Sequence, residues 1–174
     1  MMCCDWEEVR PDMLVMGKSM SGGMLPVSGV CADKFIMDLI GPGDHGSTYG
    51  GNPLAMATSL AAVQTLVEEG MVENSLKMGE RMKAGLEQID CPLFKEVRGR
   101  GLFIGVEVSP DSKVDGNMFA KLIKNHGLLT KATHDSTIRL TPPLVINESE
   151  VDEVVEIVAK ASKDLVKKNE QLSN

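Results

Sequence analysis

Apolar and polar positions follow two rhythms along this chain. Short apolar runs come first. Met13-Leu14-Val15-Met16-Gly17 and the stretch from Val27 to Cys31, entered through Pro26, read as strands. A glycine-rich loop from Gly41 to Pro53 follows, with five glycines marking backbone that needs positive φ or close approach to another group. Loops this long without regular structure are usually functional. An alanine-rich helix is predicted from Pro53 to Glu69, with Pro53 suited to its first turn and Gly70 to its end. A second helix, Met71 to Ile89, places Val72, Leu76, Met82 and Leu86 at helical spacing before Pro92 stops it.

The rhythm then changes. Leu102 to Val108 is strand-like, Asn117 to Asn125 helical, Gly127-Leu128-Leu129 the start of a short strand, and Thr137 to Leu140 another strand, broken by Pro142-Pro143. The last helix starts at Asn147, with Glu150 completing a capping box, and buries Val151, Val154, Val155, Val158 and Leu165 on one face. The pattern predicts a helix-flanked strand pair, a boundary near Gly70, and a compact α+β unit. No internal repeat or low-complexity tract interrupts it.

Composition narrows the function classes. With 43% hydrophobic and 25% charged residues, the 174-residue chain reads as soluble and globular, long enough to bury a core. A net charge of −7 argues against nucleic-acid or anionic-membrane partners, and no apolar stretch approaches the roughly 20 residues of a membrane span. Cys3, Cys4, Cys31 and Cys91 form no CxxC pair, and the three histidines have no metal-ligand spacing, so no metal site is expected and a reduced, cytoplasmic compartment fits. The N-terminus shows neither a basic leader with an apolar core nor an Arg-rich presequence.

Three constellations carry candidate chemistry. Lys18 ends the first apolar run and precedes Ser19-Met20-Ser21-Gly22-Gly23. A lysine on a buried strand end would be desolvated, hold its proton less tightly and act as a nucleophile toward a carbonyl cofactor; the alternative is a lysine that merely snorkels at a strand end. Gly17-Lys18-Ser19 also resembles the end of a phosphate-binding P-loop, but Asp12 stands where that motif needs glycine, and the residues between are bulky and apolar. Ser47 and Thr48, among glycines ahead of a helix, could form an anion site through hydroxyls and exposed amides, or could simply be turn formers. Arg139, between Ile138 and Leu140, wants a carboxylate, either from a substrate or from the protein itself.

These residues resemble a known family. Arg10-Pro11-Asp12, Gly17-Lys18 and Gly22-Gly23, then Pro26-Val27-Ser28, His45 to Leu54 and Val97 to Leu102, are similar to the class III pyridoxal-phosphate aminotransferases. Gly127 to His134 and Ile138 to Ile146 resemble the ornithine-acting branch of that family more than the acetylornithine or 4-aminobutyrate branches. The resemblance implies an α/β chain, the C-terminal part of a fold-type I transferase: residues 1–70 the end of the large cofactor-binding sheet domain, and 71–174 the small α+β domain.

It also implies pyridoxal 5'-phosphate as cofactor, carried by Lys18, which would shuttle the proton of the reaction. Thr48, with Ser47, would contact the cofactor phosphate of the other subunit in a homodimer with a shared active site. Arg139 would sit in the substrate pocket, released from a glutamate to bind the carboxylate of a 2-oxo acid. Ornithine and the 2-oxo acid would become glutamate 5-semialdehyde and an amino acid, linking arginine breakdown to proline synthesis. The rest of such a family member, including the aspartate on the pyridinium nitrogen and the glutamate partner of Arg139, is not in this sequence. We therefore expect a truncated form with little turnover alone, or a non-catalytic chain that pairs with a full-length subunit. A cytoplasmic location is expected, with the mitochondrial matrix open if a leader precedes the chain.

Overall fold

Backbone packing divides the chain into two units, Met1–Met71 and Val72–Asn174, in a computed structural model that describes residues 2–173. The first contains α1 (Cys3–Trp6), β1 (Met13–Met16), a 3₁₀ turn at Ser19–Ser21, β2 (Gly29–Ala32), α2 (Lys34–Met37) and α3 (Pro53–Glu68). β1 and β2 pair antiparallel, Leu14 opposite Cys31 and Val15 opposite Val30. Pairing begins at Met16 and Gly29, so the second strand starts two residues later than the apolar run suggests. α3 forms as its termini dictate. Asn52 caps it, the side-chain Oδ1 accepting from the Ala55 N–H at 2.9 Å, and Pro53 takes the first helical position.

Little of this unit is buried. Among its described residues only Ser21, Ala55 and Ser59 are withdrawn from solvent, while Met13 and Val15 are 58% and 74% exposed. A strand with apolar side chains on both faces suits a sheet covered on both sides. Here the Met13 and Val15 face of β1 lies open, and the Leu14 and Met16 face is only partly covered.

The second unit has a true core. α4 (Met71–Glu87), α5 (Gly116–Asn125) and α6 (Glu148–Ser173) accompany a four-stranded antiparallel sheet of β3 (Phe94–Arg100), β4 (Phe103–Val108), β5 (Lys131–Thr133) and β6 (Thr137–Leu140), ordered β3-β4-β6-β5. Ile104, Val106 and Val108 of β4 and Ile138 and Leu140 of β6 alternate onto one face, where they meet Met78, Met82, Leu86, Phe119, Ile123, Val151, Val158 and Leu165 of the helices. The capping box of α6 is made: the Glu150 N–H donates to the Asn147 side chain at 3.0 Å, and Glu150 accepts from the Asn147 N–H at 2.9 Å. α4 and α6 are tied by Arg81, bidentate to Asp152 at 2.7 Å, and by Lys77 to Glu148 at 2.6 Å.

Three details depart from the sequence reading. β3 was not anticipated, because only Phe94 and Val97 along it are apolar enough to mark a strand. The strand read at Gly127–Leu129 is instead a loop. Gly127 adopts φ +97° as α5 ends, and pairing starts only at Lys131, opposite Arg139. On α4 the core position is Met78 rather than the exposed Leu76, because the buried stripe runs through Met78, Met82 and Leu86 at intervals of four.

Candidate active site

The β1 strand ends one residue before Gly17, where an added Cβ would lie 3.3 Å from the Ser28 Cβ, so the two neighbouring chains run close together. Lys18 then takes φ +60° and ψ −89°, a conformation that costs a non-glycine residue about 1–3 kcal/mol. The turn after it is locked. Ser21, almost wholly buried, donates its hydroxyl to the Leu25 carbonyl and accepts from the Leu25 N–H at 3.0 Å. Gly22 closes the turn at φ +67°, its N–H donating to the Ser19 carbonyl at 2.9 Å; an added Cβ there would touch Ala62 of α3 at 3.4 Å. Strained backbone on a rigid turn is a way of aiming one side chain.

The amine so aimed is exposed. The recess expected around Lys18 is therefore not formed by the described residues of its own unit, because the strand that carries it has no neighbour beyond β2.

Ser47 and Thr48 occupy the loop ahead of α3. The loop is ordered by its own hydrogen bonds: Gly41 N–H to Asp44, 2.8 Å; Gly50 N–H to Ser47 Oγ, 3.0 Å; Asn52 Nδ2 to the Tyr49 carbonyl, 2.8 Å. Ser47 thus shapes the turn. Thr48 is exposed and its hydroxyl has no hydrogen-bond partner among the described residues, so it is the hydroxyl free to meet an anion. Among the described residues no hydrogen bond joins this loop to the Lys18 turn.

Arg139 lies in the second unit, on the face of the sheet opposite the core. Its strand partner on β4 is Gly105, and its guanidinium carbon stands 5.9 Å from the centre of the Phe103 ring. The Nε is buried without a hydrogen-bond partner, and Arg139 forms no ion pair among the described residues. The structural ion pair that sequence reasoning left open is therefore absent from the described residues. Arg139 lines a cavity of about 800 Å³ with apolar walls from Leu128, Leu140, Val145 and Ile157.

The rest of that face is ionic and self-satisfied. Glu107 accepts from Lys95 at 2.8 Å and from Arg98, which also reaches Glu96 at 2.8 Å; first Lys95 and then Arg98 hold the Glu107 carboxyl below its usual range. Ser21, Phe103, Arg98 and Glu107 were not singled out from sequence. The signal for Ser21 was the small-residue run after Lys18, whereas the other three become visible only once strand register is known. The four cysteines are free, and burial pushes the Cys91 thiol up. Among the described residues no His, Cys, Asp and Glu cluster could hold a metal, and no helix is long and apolar enough to cross a membrane.

The family model for class III aminotransferases matches residues 1–162. The chain belongs to the class III aminotransferases. It is 48% identical over 153 residues to the ornithine aminotransferase of Halalkalibacterium halodurans, which covers 88% of the chain and 37% of that protein. In three dimensions it matches a Toxoplasma gondii ornithine aminotransferase, described with partial occupancy of pyridoxal phosphate at its active site, with TM-score 0.90 and 36% identity over 96% of this chain and 40% of that one. An acetylornithine aminotransferase from Elizabethkingia anophelis superposes with TM-score 0.85 and 42% identity, covering 92% of this chain and 43% of that one. The class III fold is thus that of the corresponding part of an α/β fold-type I enzyme, and the chain spans well under half the length of the relatives it matches.

Proposed function

We propose that the chain contributes the cofactor lysine, a phosphate-contacting loop and a carboxylate-binding arginine to a pyridoxal-phosphate-dependent aminotransferase that acts on ornithine and a 2-oxo acid. The observation that carries this reading is the strained, hydrogen-bonded turn that holds Lys18 at the end of β1. The residues fit the cofactor: a primary amine for its aldehyde, and the Thr48 hydroxyl with exposed loop amides for its phosphate.

When bound, pyridoxal phosphate supplies an electron sink for charge developing at the amine-bearing carbon of the substrate. The Lys18 amine would hold the cofactor through its aldehyde and, when free, would carry a proton to and from the amine-bearing carbon of the substrate. Thr48, with Ser47 shaping its turn, serves the phosphate of the other subunit's cofactor, which makes the working unit a homodimer. Arg139 receives the carboxylate of the 2-oxo acid over the Phe103 ring. The products are glutamate 5-semialdehyde and the amino acid of the 2-oxo acid. In this reading residues 1–70 belong to a large cofactor-binding domain and 71–174 to a small C-terminal one, in a cytoplasmic enzyme.

A second reading, an acetylornithine aminotransferase, has the 42% identity to the Elizabethkingia enzyme behind it, against 48% to the Halalkalibacterium ornithine enzyme. Half-reactions separate the two. In a chimera joining this chain to the remainder of the Halalkalibacterium relative, ornithine should convert bound pyridoxal phosphate to its amine form fastest. Faster conversion by acetylornithine or 4-aminobutyrate would overturn the ornithine assignment.

A further inference from the structure

The strand that carries Arg139 runs out into Thr141-Pro142-Pro143-Leu144-Val145-Ile146 before α6 begins. Pro142, Pro143 and Val145 of this segment line the same cavity as Arg139. The two prolines have no N–H, so they cannot pin their own backbone by donating a hydrogen bond. Within the segment the Ile146 N–H donates to the Pro143 carbonyl at 3.1 Å. A second hold comes from α4. The Asn74 side chain donates from Nδ2 to the Leu144 carbonyl at 2.7 Å and to the Ile146 carbonyl at 3.0 Å, so both of its amide hydrogens go to this one loop. Asn74 is half-buried and does not itself line the cavity. It grips the wall from behind. Its neighbour Ser75 accepts from the Leu102 N–H at 3.1 Å, one residue before the Phe103 ring that lies near the Arg139 guanidinium.

We propose that Asn74 is a positioning residue for carboxylate binding: its two-carbonyl clamp fixes the Pro142–Val145 segment, so that the cavity around Arg139 keeps the shape that admits the ligand. This role rests on Arg139 being the carboxylate-binding residue. A wall that is in place only part of the time lowers the apparent affinity in proportion to that fraction. The net contribution of one hydrogen bond corresponds to about a fivefold change in such a population, so losing the clamp should weaken binding about fivefold to tenfold. The half-reaction with ornithine, in which Arg139 has no 2-oxo acid to receive, should keep its rate.

Two measurements test the clamp. In the 174-residue chain, Asn74→Ala should speed amide hydrogen exchange at Ile146 and leave β4 and β6 unchanged. In the chimera with the remainder of the Halalkalibacterium relative, Asn74→Ala should raise the 2-oxoglutarate concentration that half-saturates its half-reaction about fivefold to tenfold, with the limiting rate and the ornithine half-reaction within about twofold of the parent. Asn74→Asp, equal in size but without the donor, should do the same. Arg81→Gln loosens α4 from α6 without touching the loop, and should leave the half-saturating concentration where it was. Unchanged exchange at Ile146, a parallel loss in both half-reactions, or the same rise in Arg81→Gln overturns the role of Asn74. Arg139→Gln checks the reading beneath it and should raise the half-saturating concentration at least as much. If it does not, the carboxylate role of Arg139 falls, even where Asn74 still controls the loop amides, and the proposed role of Asn74 falls with it.

Discussion

Gly79 on α4 faces Gly101, the first residue of the turn between β3 and β4. A Cβ at Gly79 would lie 2.1 Å from the Gly101 carbonyl oxygen, 2.2 Å from its carbon and 2.6 Å from its Cα. All three are backbone atoms, so no side-chain rotation relieves the clash. The turn is held in place: Gly101 sits at φ +51°, and the following Leu102 N–H donates to Ser75 of α4 at 3.1 Å. To restore ordinary contact, α4 and the turn must separate by about 1.3 Å, which opens the close-packed seam under Met78, Leu102 and Ile104.

Gly79→Ala gains about 0.5–1 kcal/mol of helix propensity. Overpacking typically costs about 1–3 kcal/mol and occasionally more, and a clash with three backbone atoms belongs at the upper end. A net loss of about 2–3 kcal/mol is expected. Gly85→Ala is the control, because there the added Cβ meets only the Val155 side chain, at 2.9 Å, and the change should cost less than half as much. The assay is urea unfolding followed by far-UV circular dichroism, since the only tryptophan, Trp6, reports on the other unit. If Gly79→Ala unfolds at the same urea concentration as the parent, or a higher one, the packing described for α4 against the β3–β4 turn is wrong.

Ser21→Ala removes the partner of both the Leu25 N–H and the Leu25 carbonyl at a buried site, and should speed amide exchange at Leu25 and Gly22 without touching the second unit. Hydrogen exchange across the whole chain should divide sharply, with β1 and β2 unprotected and β4, β6, α4 and α6 slow, because the apolar core belongs to the second unit; equal protection would contradict that division. The acid limb follows from four carboxylates held below their usual range: Asp152 by Arg81, Glu148 by Lys77, Glu107 by Lys95 and Arg98, and Asp164 by His126. Their lowered folded-state values mean that their contribution is present above the unfolded carboxylate range and lost as pH falls through the folded one. Melting temperature should therefore drop below about pH 4, and Asp152→Asn should shrink that drop; an unchanged slope would remove the Arg81–Asp152 pair from the account.

The long helices were legible because their signals are local. α6 carries Asn147 and Glu150 at capping-box spacing and a valine stripe at helical period, and α3 carries Asn52-Pro53 at its start. Strand β3 was not, since Lys95, Glu96, Arg98 and Arg100 read as a solvated segment until pairing with β4 makes it an edge strand. Lys18 was found from its small neighbours, but the burial inferred for it was wrong for this unit, because burial of a strand depends on elements paired with it and not on the strand itself. Arg139 was visible as a charge among apolar residues. Its relation to Phe103, Gly105 and Lys131 was not, because these are facts of register rather than of spacing along the chain.

The central claim is that the Lys18 amine carries the cofactor. The chimera with the remainder of the Halalkalibacterium relative, loaded with pyridoxal phosphate, reduced with borohydride and digested, answers it by mass spectrometry of the peptides. The account predicts a pyridoxyl group on Lys18 at near-full occupancy, lost in Lys18→Ala together with the yellow colour. A stably modified peptide elsewhere, with Lys18 recovered unmodified, would contradict it.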